Sequence, residues 1–137
     1  MKLHTTISLS ILFLVTVSCA STKFFKRNPI YGSSYKIISV TETESKKPQL
    51  HCFAFDINDY EPCAFANVIL TSDDFVLKIN EITDRYGNLE LDMPAGKYKL
   101  EVHMLGNESV IIREINFKPY TRTEIKFDLG AVDARLL

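Results

Sequence analysis

Between Asn80 and Leu105 apolar and polar residues alternate with a period of two. Leu89, Leu91 and Met93 are interleaved with Asn88, Glu90 and Asp92, and Tyr98, Leu100, Val102 and Met104 with Lys97, Lys99, Glu101 and His103. Alternation of this kind puts every second side chain on the same side of an extended chain, so each run predicts a strand with one buried and one wet face. Arg85-Tyr86-Gly87-Asn88 precedes the first run and Met93-Pro94-Ala95-Gly96 separates the two, which supplies glycine and proline where the chain must reverse. The pair predicts an antiparallel meander.

The same reasoning extends outward. Strands are predicted over Tyr35 to Thr43, Leu50 to Phe55, Ala64 to Leu70, Phe75 to Thr83, Ser109 to Phe117 and Thr121 to Leu129, where β-branched and aromatic residues concentrate between turn residues. The last alternates Ile125, Phe127 and Leu129 against Glu124, Lys126 and Asp128. Asp56 to Pro62 reads as a loop and Lys118-Pro119-Tyr120 as a turn. Short strands at spacings of roughly ten residues, with no helical period after the leading segment, predict an all-β fold: a seven- or eight-stranded antiparallel β-sandwich. The organisation expected is a signal peptide over 1–18, a lipidated cysteine and tether over 19–34, the sandwich over 35–131 and a tail over 132–137.

The leading segment has a different character. Lys2 and His4 open it, Ile7 to Val17 is apolar apart from small hydroxyl residues, and Ser18-Cys19-Ala20 closes it. An apolar run of about eleven residues is too short to cross a bilayer, which takes roughly twenty, so it reads as an export signal. Val15-Thr16-Val17-Ser18-Cys19 resembles the lipobox of bacterial lipoproteins, with threonine where leucine is commonest. The resemblance implies that Cys19 becomes the acylated first residue of the mature chain, and that the chain meets the membrane through this lipid anchor. Beyond it, Lys23, Lys26 and Arg27 either touch anionic headgroups or are plain solvated linker, and Phe24 and Phe25 bury either in the bilayer interface or against the domain. Ala20-Ser21-Thr22-Lys23 carries no acidic run, which favours an outer-membrane anchor facing the periplasm over display at the cell surface.

Composition narrows the function classes. A formal net charge of -1, with no basic cluster downstream of Arg27, argues against nucleic acid, whose binding rests on concentrated positive charge. With 137 residues and 46% hydrophobic content the chain builds one core rather than two.

Asp56, Pro62, Ala66-Asn67-Val68, Thr83-Asp84-Arg85-Tyr86-Gly87-Asn88-Leu89-Glu90-Leu91 and Pro94-Ala95-Gly96-Lys97-Tyr98-Lys99-Leu100 together resemble the carboxypeptidase regulatory-like domains. Their pattern is a strand ending in Asp, a loop to Pro, an "AxV" strand, "TDxxGxF" and "PxGxYxL". The match runs from about Leu50 to Leu129 and departs from the family at Cys52, Cys63 and the Thr71-to-Phe75 loop. It implies a transthyretin-like sandwich with no active site, of the kind appended to metallocarboxypeptidases, adhesins and the glycan-importing receptors of Bacteroidota.

Each chemically capable group has a plainer reading beside it. With Cys19 set aside, Cys52 and Cys63 form an even pair in an exported chain, so they are either a structural disulfide or two buried thiols; a hairpin centred on Ile57 and Asn58 would set them opposite each other. His51, Cys52 and Cys63 lack a fourth zinc ligand, and His51 faces the other way from Cys52. Asp56, Asn58, Asp59 and Glu61 offer oxygens for a loose calcium site, but Tyr60 and the missing glycine exclude an EF-hand. His103 reads as a solvated strand residue. The transthyretin-like hydrolase of 5-hydroxyisourate ends in Tyr-Arg-Gly-Ser and uses paired histidines, whereas this chain ends Ala134-Arg135-Leu136-Leu137. No metal, cofactor or catalytic set is therefore expected. The expected role is a non-catalytic lipoprotein whose sandwich binds an envelope protein or a glycan, with a purely structural spacer and a transthyretin-like hydrolase as the alternatives. Asp56, Asn58, Asp59, Tyr60, Glu61, Asp73 and Asp74 are the expected partner-contact residues. Oligomeric state is not legible.

Overall fold

The computed structural model describes residues 28–136. The expected export signal, Cys19, Lys23, Phe24, Phe25, Lys26 and Arg27 lie outside the described residues.

Nine strands form two packed sheets: β1 (Ser34–Glu42), β2 (Gln49–Asp56), β3 (Glu61–Pro62), β4 (Asn67–Ser72), β5 (Lys78–Ile82), β6 (Asn88–Asp92), β7 (Gly96–His103), β8 (Val110–Phe117) and β9 (Thr121–Leu129). The larger sheet runs β1-β9-β2-β3 with β6 also on β2, and the smaller runs β5-β4-β7-β8. The all-β sandwich expected from the alternation is present. Eight strands match predicted segments; the ninth, β3, is two residues long and closes a hairpin through Phe55↔Pro62 and Asp56↔Glu61.

Two expectations are corrected. The sheets are not wholly antiparallel, because β2 and β9 pair in parallel from Gln49↔Arg122 to Asp56↔Leu129. The chain between them makes the whole smaller sheet and re-enters from the end at which β2 began. Such a crossover permits parallel pairing, and a period of two carries no record of direction. Nor do the two runs between Asn80 and Leu105 form a meander. β6 pairs with β2 in the larger sheet and β7 with β4 and β8 in the smaller, so Pro94 and Ala95 carry the chain from one layer to the other. The Tyr98 hydroxyl donates to Pro94 O at 2.6 Å and pins that crossing.

The inward faces follow the alternation. Leu50, Cys52 and Ala54 of β2 and Ile125, Phe127 and Leu129 of β9 are buried, and so are Val68 and Leu70 of β4 and Tyr98, Leu100 and Val102 of β7. Lys97 stays exposed and Lys99 and Glu101 only half-buried. Tyr98 and Phe117 meet with ring centroids 5.8 Å apart, tilted by 59°. At about 25 cal/mol per Å² of apolar area removed from water, this shared interior is the main favourable contribution to folding. β1 stands partly outside it: Tyr35, Ile37 and Val40 lie in register with Phe127, Ile125 and Thr123, yet remain 44%, 45% and 61% exposed. β9 is the neighbour that β1 packs on.

Two features fix the turn ahead of β6. Gly87, at φ +77°, lies so near β2 that a Cβ would sit 2.5 Å from Ala54 O; the glycine is there for that close approach. Thr83 is a buried polar residue, and its hydroxyl accepts from Ala66 N–H at 2.8 Å and donates to Cys63 O at 2.7 Å. These bonds fold Cys63 to Ala66 into a turn, with Phe65 at φ 60°, and delay the start of β4 to Asn67. Thr83→Val keeps the shape but leaves both backbone groups without this partner. It should destabilise the protein by about 1–3 kcal/mol in urea unfolding, whereas Thr41→Val on exposed β1 should stay within about 0.5 kcal/mol. Equal midpoints for the two variants would show that the Thr83 bonds do not hold this junction.

Candidate functional site

The solvent face of the larger sheet gathers the polar and aromatic side chains that the core excludes. His51, Phe53 and Phe55 point outward from β2, and Arg122, Glu124, Lys126 and Asp128 from β9. Strand register sets Glu90 of β6, His51 of β2, Glu124 of β9 and Ser39 of β1 in one row. The His51 ring meets Asn88 Oδ1 through Nε2 at 3.0 Å and Glu124 Oε1 through Nδ1 at 3.5 Å. Arg122 donates to Glu90 at 2.7 Å and lies 3.5 Å from Glu124. The guanidinium's hydrogen bond and charge hold the Glu90 carboxyl below the usual range. Glu124 is lowered by its bond to His51 first, against the opposing effect of burial, with Ser39 and Arg122 adding to the lowering.

Beside this row runs an aromatic one. Phe53 and Phe55 stack at 6.2 Å, Phe55 meets Tyr60 at 6.4 Å, and Lys126 Nζ lies 5.5 Å over the Phe55 ring. Two shallow depressions flank His51: one of about 280 Å³ over Gln49, Glu90, Asp92 and Arg122, and one of about 150 Å³ over Ile38, His51, Phe53 and Lys126. Ring faces next to fixed donors and acceptors suit the flat faces of sugars or of another protein.

The order of contacts in the row bears on chemistry. Ser39 donates to Glu124 Oε2 at 3.3 Å, and Glu124 stands between the serine and His51. A nucleophile relay needs the imidazole next to the hydroxyl, with the acid behind it. Here the acid is in the middle, and both ring nitrogens already have partners.

The predicted contact loops divide. Asp56 Oδ1 accepts the N–H groups of Asn58 and Asp59 at 2.8 and 3.3 Å, and Oδ2 accepts from Asn107 at 2.9 Å. Burial pushes the Asp56 carboxyl up, but these bonds outweigh it and the net shift is downward. Asn58 is also engaged, bonding Ile30 N at 2.7 Å and Ile30 O at 3.0 Å. Asn58 therefore clasps the incoming chain to the domain and Asp56 shapes the loop that presents it, while Asp59, Tyr60 and Glu61 stay exposed. Asp74 accepts from the Ser72 hydroxyl at 2.5 Å and from Val76 N–H at 3.1 Å, which folds its own turn and lowers its carboxyl. Asp73 is exposed beside it. β4 starts at the end where β2 stops and runs to the other, so the two loops sit at opposite ends of the sandwich. Among the described residues no three or more His, Cys, Asp and Glu side chains are grouped to hold a metal ion. His51 and Cys52 are on opposite faces of β2, and half-buried His103 bonds Ser109 Oγ at 2.6 Å.

Cys52 and Cys63 are free and buried, so the disulfide alternative is not formed. The hairpin pairs Phe55 with Pro62, and Cys63 N–H donates to Ala54 O at 2.9 Å. Cys63 therefore lies beside Ala54, two residues along from Cys52, and the hairpin centred on Ile57 and Asn58 does not exist. Burial pushes the Cys52 thiol up to about 12. Burial and then the charges of Asp56 and Asp59 push Cys63 up to about 11.

The Glu90-His51-Glu124 row is not legible in the sequence, although alternation puts Glu90 and Glu124 on wet faces and His51 on the face opposite Cys52. The missing information was which strands are neighbours.

No protein-family model and no curated protein sequence matches the chain. Among solved structures the fold is similar to 3-chlorocatechol 1,2-dioxygenase from Rhodococcus opacus, with a TM-score of 0.53 and 12% identity over 66% of this chain and 62% of that one. Catechol 1,2-dioxygenase from Acinetobacter sp. gives 0.52 and 12% over 68% and 55%. The enzyme from Pseudomonas arvilla gives 0.52 and 12% over 67% and 55%. The chain thus spans a little over half the length of these proteins, and at this identity the likeness is one of fold alone.

Both thiols should resist iodoacetamide at neutral pH in the native protein and react together after unfolding in guanidinium. One carbamidomethyl group on each of Cys52 and Cys63, read by peptide mass without reductant, is expected. Failure of the unfolded, unreduced chain to take up label would indicate a bridge.

Proposed function

We propose that the protein is a cell-envelope lipoprotein whose sandwich is a non-catalytic binding or accessory module, with the solvent face of the larger sheet as its contact surface for a glycan or a protein partner. The observation that carries the reading is the aromatic row of Phe53, Phe55 and Tyr60 beside the Glu90-His51-Glu124 row, held in register by four strands. Side chains mounted on paired strands are fixed before a partner arrives, which lowers the ordering cost of binding. The resemblance to carboxypeptidase regulatory-like domains supports the same reading, because such domains serve as appended modules. The position of Glu124 between Ser39 and His51 favours a binding face over a hydrolytic one. The lipobox-like Val15-to-Cys19 stretch supports anchoring through Cys19, and the absence of acidic residues at Ala20-Ser21-Thr22-Lys23 supports an outer-membrane position facing the periplasm.

Two measurements on the full chain in its native cell test this. Cys19→Ala should move the protein from the membrane to the soluble fraction; unchanged fractionation would refute the anchor. A photoreactive residue in place of Phe53 should yield a discrete glycan or protein adduct that the same residue at Arg113, on the smaller sheet, does not. Equal products from both positions, or none from Phe53, would refute the contact face.

A further inference from the structure

The incoming chain reaches the domain at the end where β2 and β9 stop. Tyr31 forms a bridge with Ala131, Gly32 N–H donates to Ala131 O at 3.4 Å, and Asn58 grips Ile30 through both its side-chain atoms. The same end carries an apolar and aromatic set that the core does not use. Leu105, in the β7–β8 turn, is 98% exposed and Phe65 is 65% exposed. Ile30, Tyr31, Tyr60 and Tyr86 are also exposed. Strand register brings Leu105 and Phe65 to the same end of the smaller sheet, since Asn67 pairs with His103 and each lies two residues beyond that pair. Phe65 and Tyr60 adopt left-handed backbone, with φ of 60° and 56°, a conformation that costs a bulky residue energy.

We infer that this end of the sandwich rests on the lipid surface to which the chain is anchored, with Leu105 and Phe65 entering the headgroup layer and the tyrosines bordering it. The inference rests on the proposed lipid anchor at Cys19. From Ala20 to Arg27 only eight residues separate that cysteine from Asn28. Fully extended they reach about 30 Å, so the end of the domain that receives the tether stays within about that distance of the anchor. The segment contains Lys23, Lys26 and Arg27, whose charge draws it toward anionic headgroups. Aromatic residues with an apolar body and a polar tip favour the same interface. Asp59, Glu61 and Glu108 are exposed on this end too, which limits contact to the headgroup level. The opposite end carries Phe75 and Val76, 82% and 84% exposed, and would then point into the aqueous compartment. The larger sheet's solvent face would stand roughly along the membrane normal, open to a partner.

The chain has no tryptophan, so one introduced tryptophan reports its own surroundings. The acylated full-length product, purified from membranes, is reconstituted into phosphatidylethanolamine–phosphatidylglycerol vesicles with brominated acyl chains. Leu105→Trp and, independently, Phe65→Trp should be blue-shifted and quenched several-fold more than Phe75→Trp. Vesicle flotation without quenching at 105 and 65, or with equal quenching at 75, would overturn the contact while leaving the anchor intact. Failure to float would overturn the anchor, and this orientation with it.

Discussion

β2 is the strand on which both layers depend. It is paired along its length by β9 on one side and by β6 and β3 on the other, and its inward residues Leu50, Cys52 and Ala54 are fully buried. A strand so enclosed satisfies its backbone polar groups through neighbours rather than water. Gly87 extends the β6 side of that pairing, since its missing Cβ lets the turn ahead of β6 sit against Ala54 O.

From this arrangement the two faces acquire different characters. Inward, β2 and β9 deliver the core; outward, the same two strands deliver His51, Phe53, Phe55, Arg122, Glu124 and Lys126. Because β2 and β9 are parallel, residues of like position face each other, and His51 meets Glu124 while Phe53 meets Lys126. An antiparallel partner would have set different side chains side by side. The rows proposed as a contact surface are thus a product of strand direction as much as of composition. Exposed ion pairs of this kind contribute little to stability, which leaves them available for recognition.

Local patterns made most of the fold legible. Tyr98, Leu100 and Val102 alternate with lysines and Glu101, and they are buried as alternation demands. Thr121 to Leu129 was bounded to the residue, because Lys118-Pro119-Tyr120 ends one strand and strict alternation marks the next. What failed were non-local properties. Leu89 and Leu91 suit either sheet equally well, so their periodicity could not tell that β6 leaves β7 for β2. Ala64 and Phe75 open runs rich in β-branched and aromatic residues and so read as strand, but hydrogen bonds with Thr83 and Ser72 fold those stretches into turns. Asp56 and Asn58 read as loop tips open to a partner, but Asn58 holds Ile30 across 28 residues and Asp56 ties its own loop to Asn107. The contact face escaped for the same reason: its members are far apart in sequence and meet only through register.

The enclosure of β2 is most directly measured by native-state amide hydrogen exchange. The amides of Leu50 to Ala54 and Ile125 to Phe127 should exchange only through global unfolding, while those of β1 outside its bonds to β9 should exchange orders of magnitude faster. Rapid exchange across β2, or protection of β1 equal to that of β9, would contradict a sandwich built around that strand.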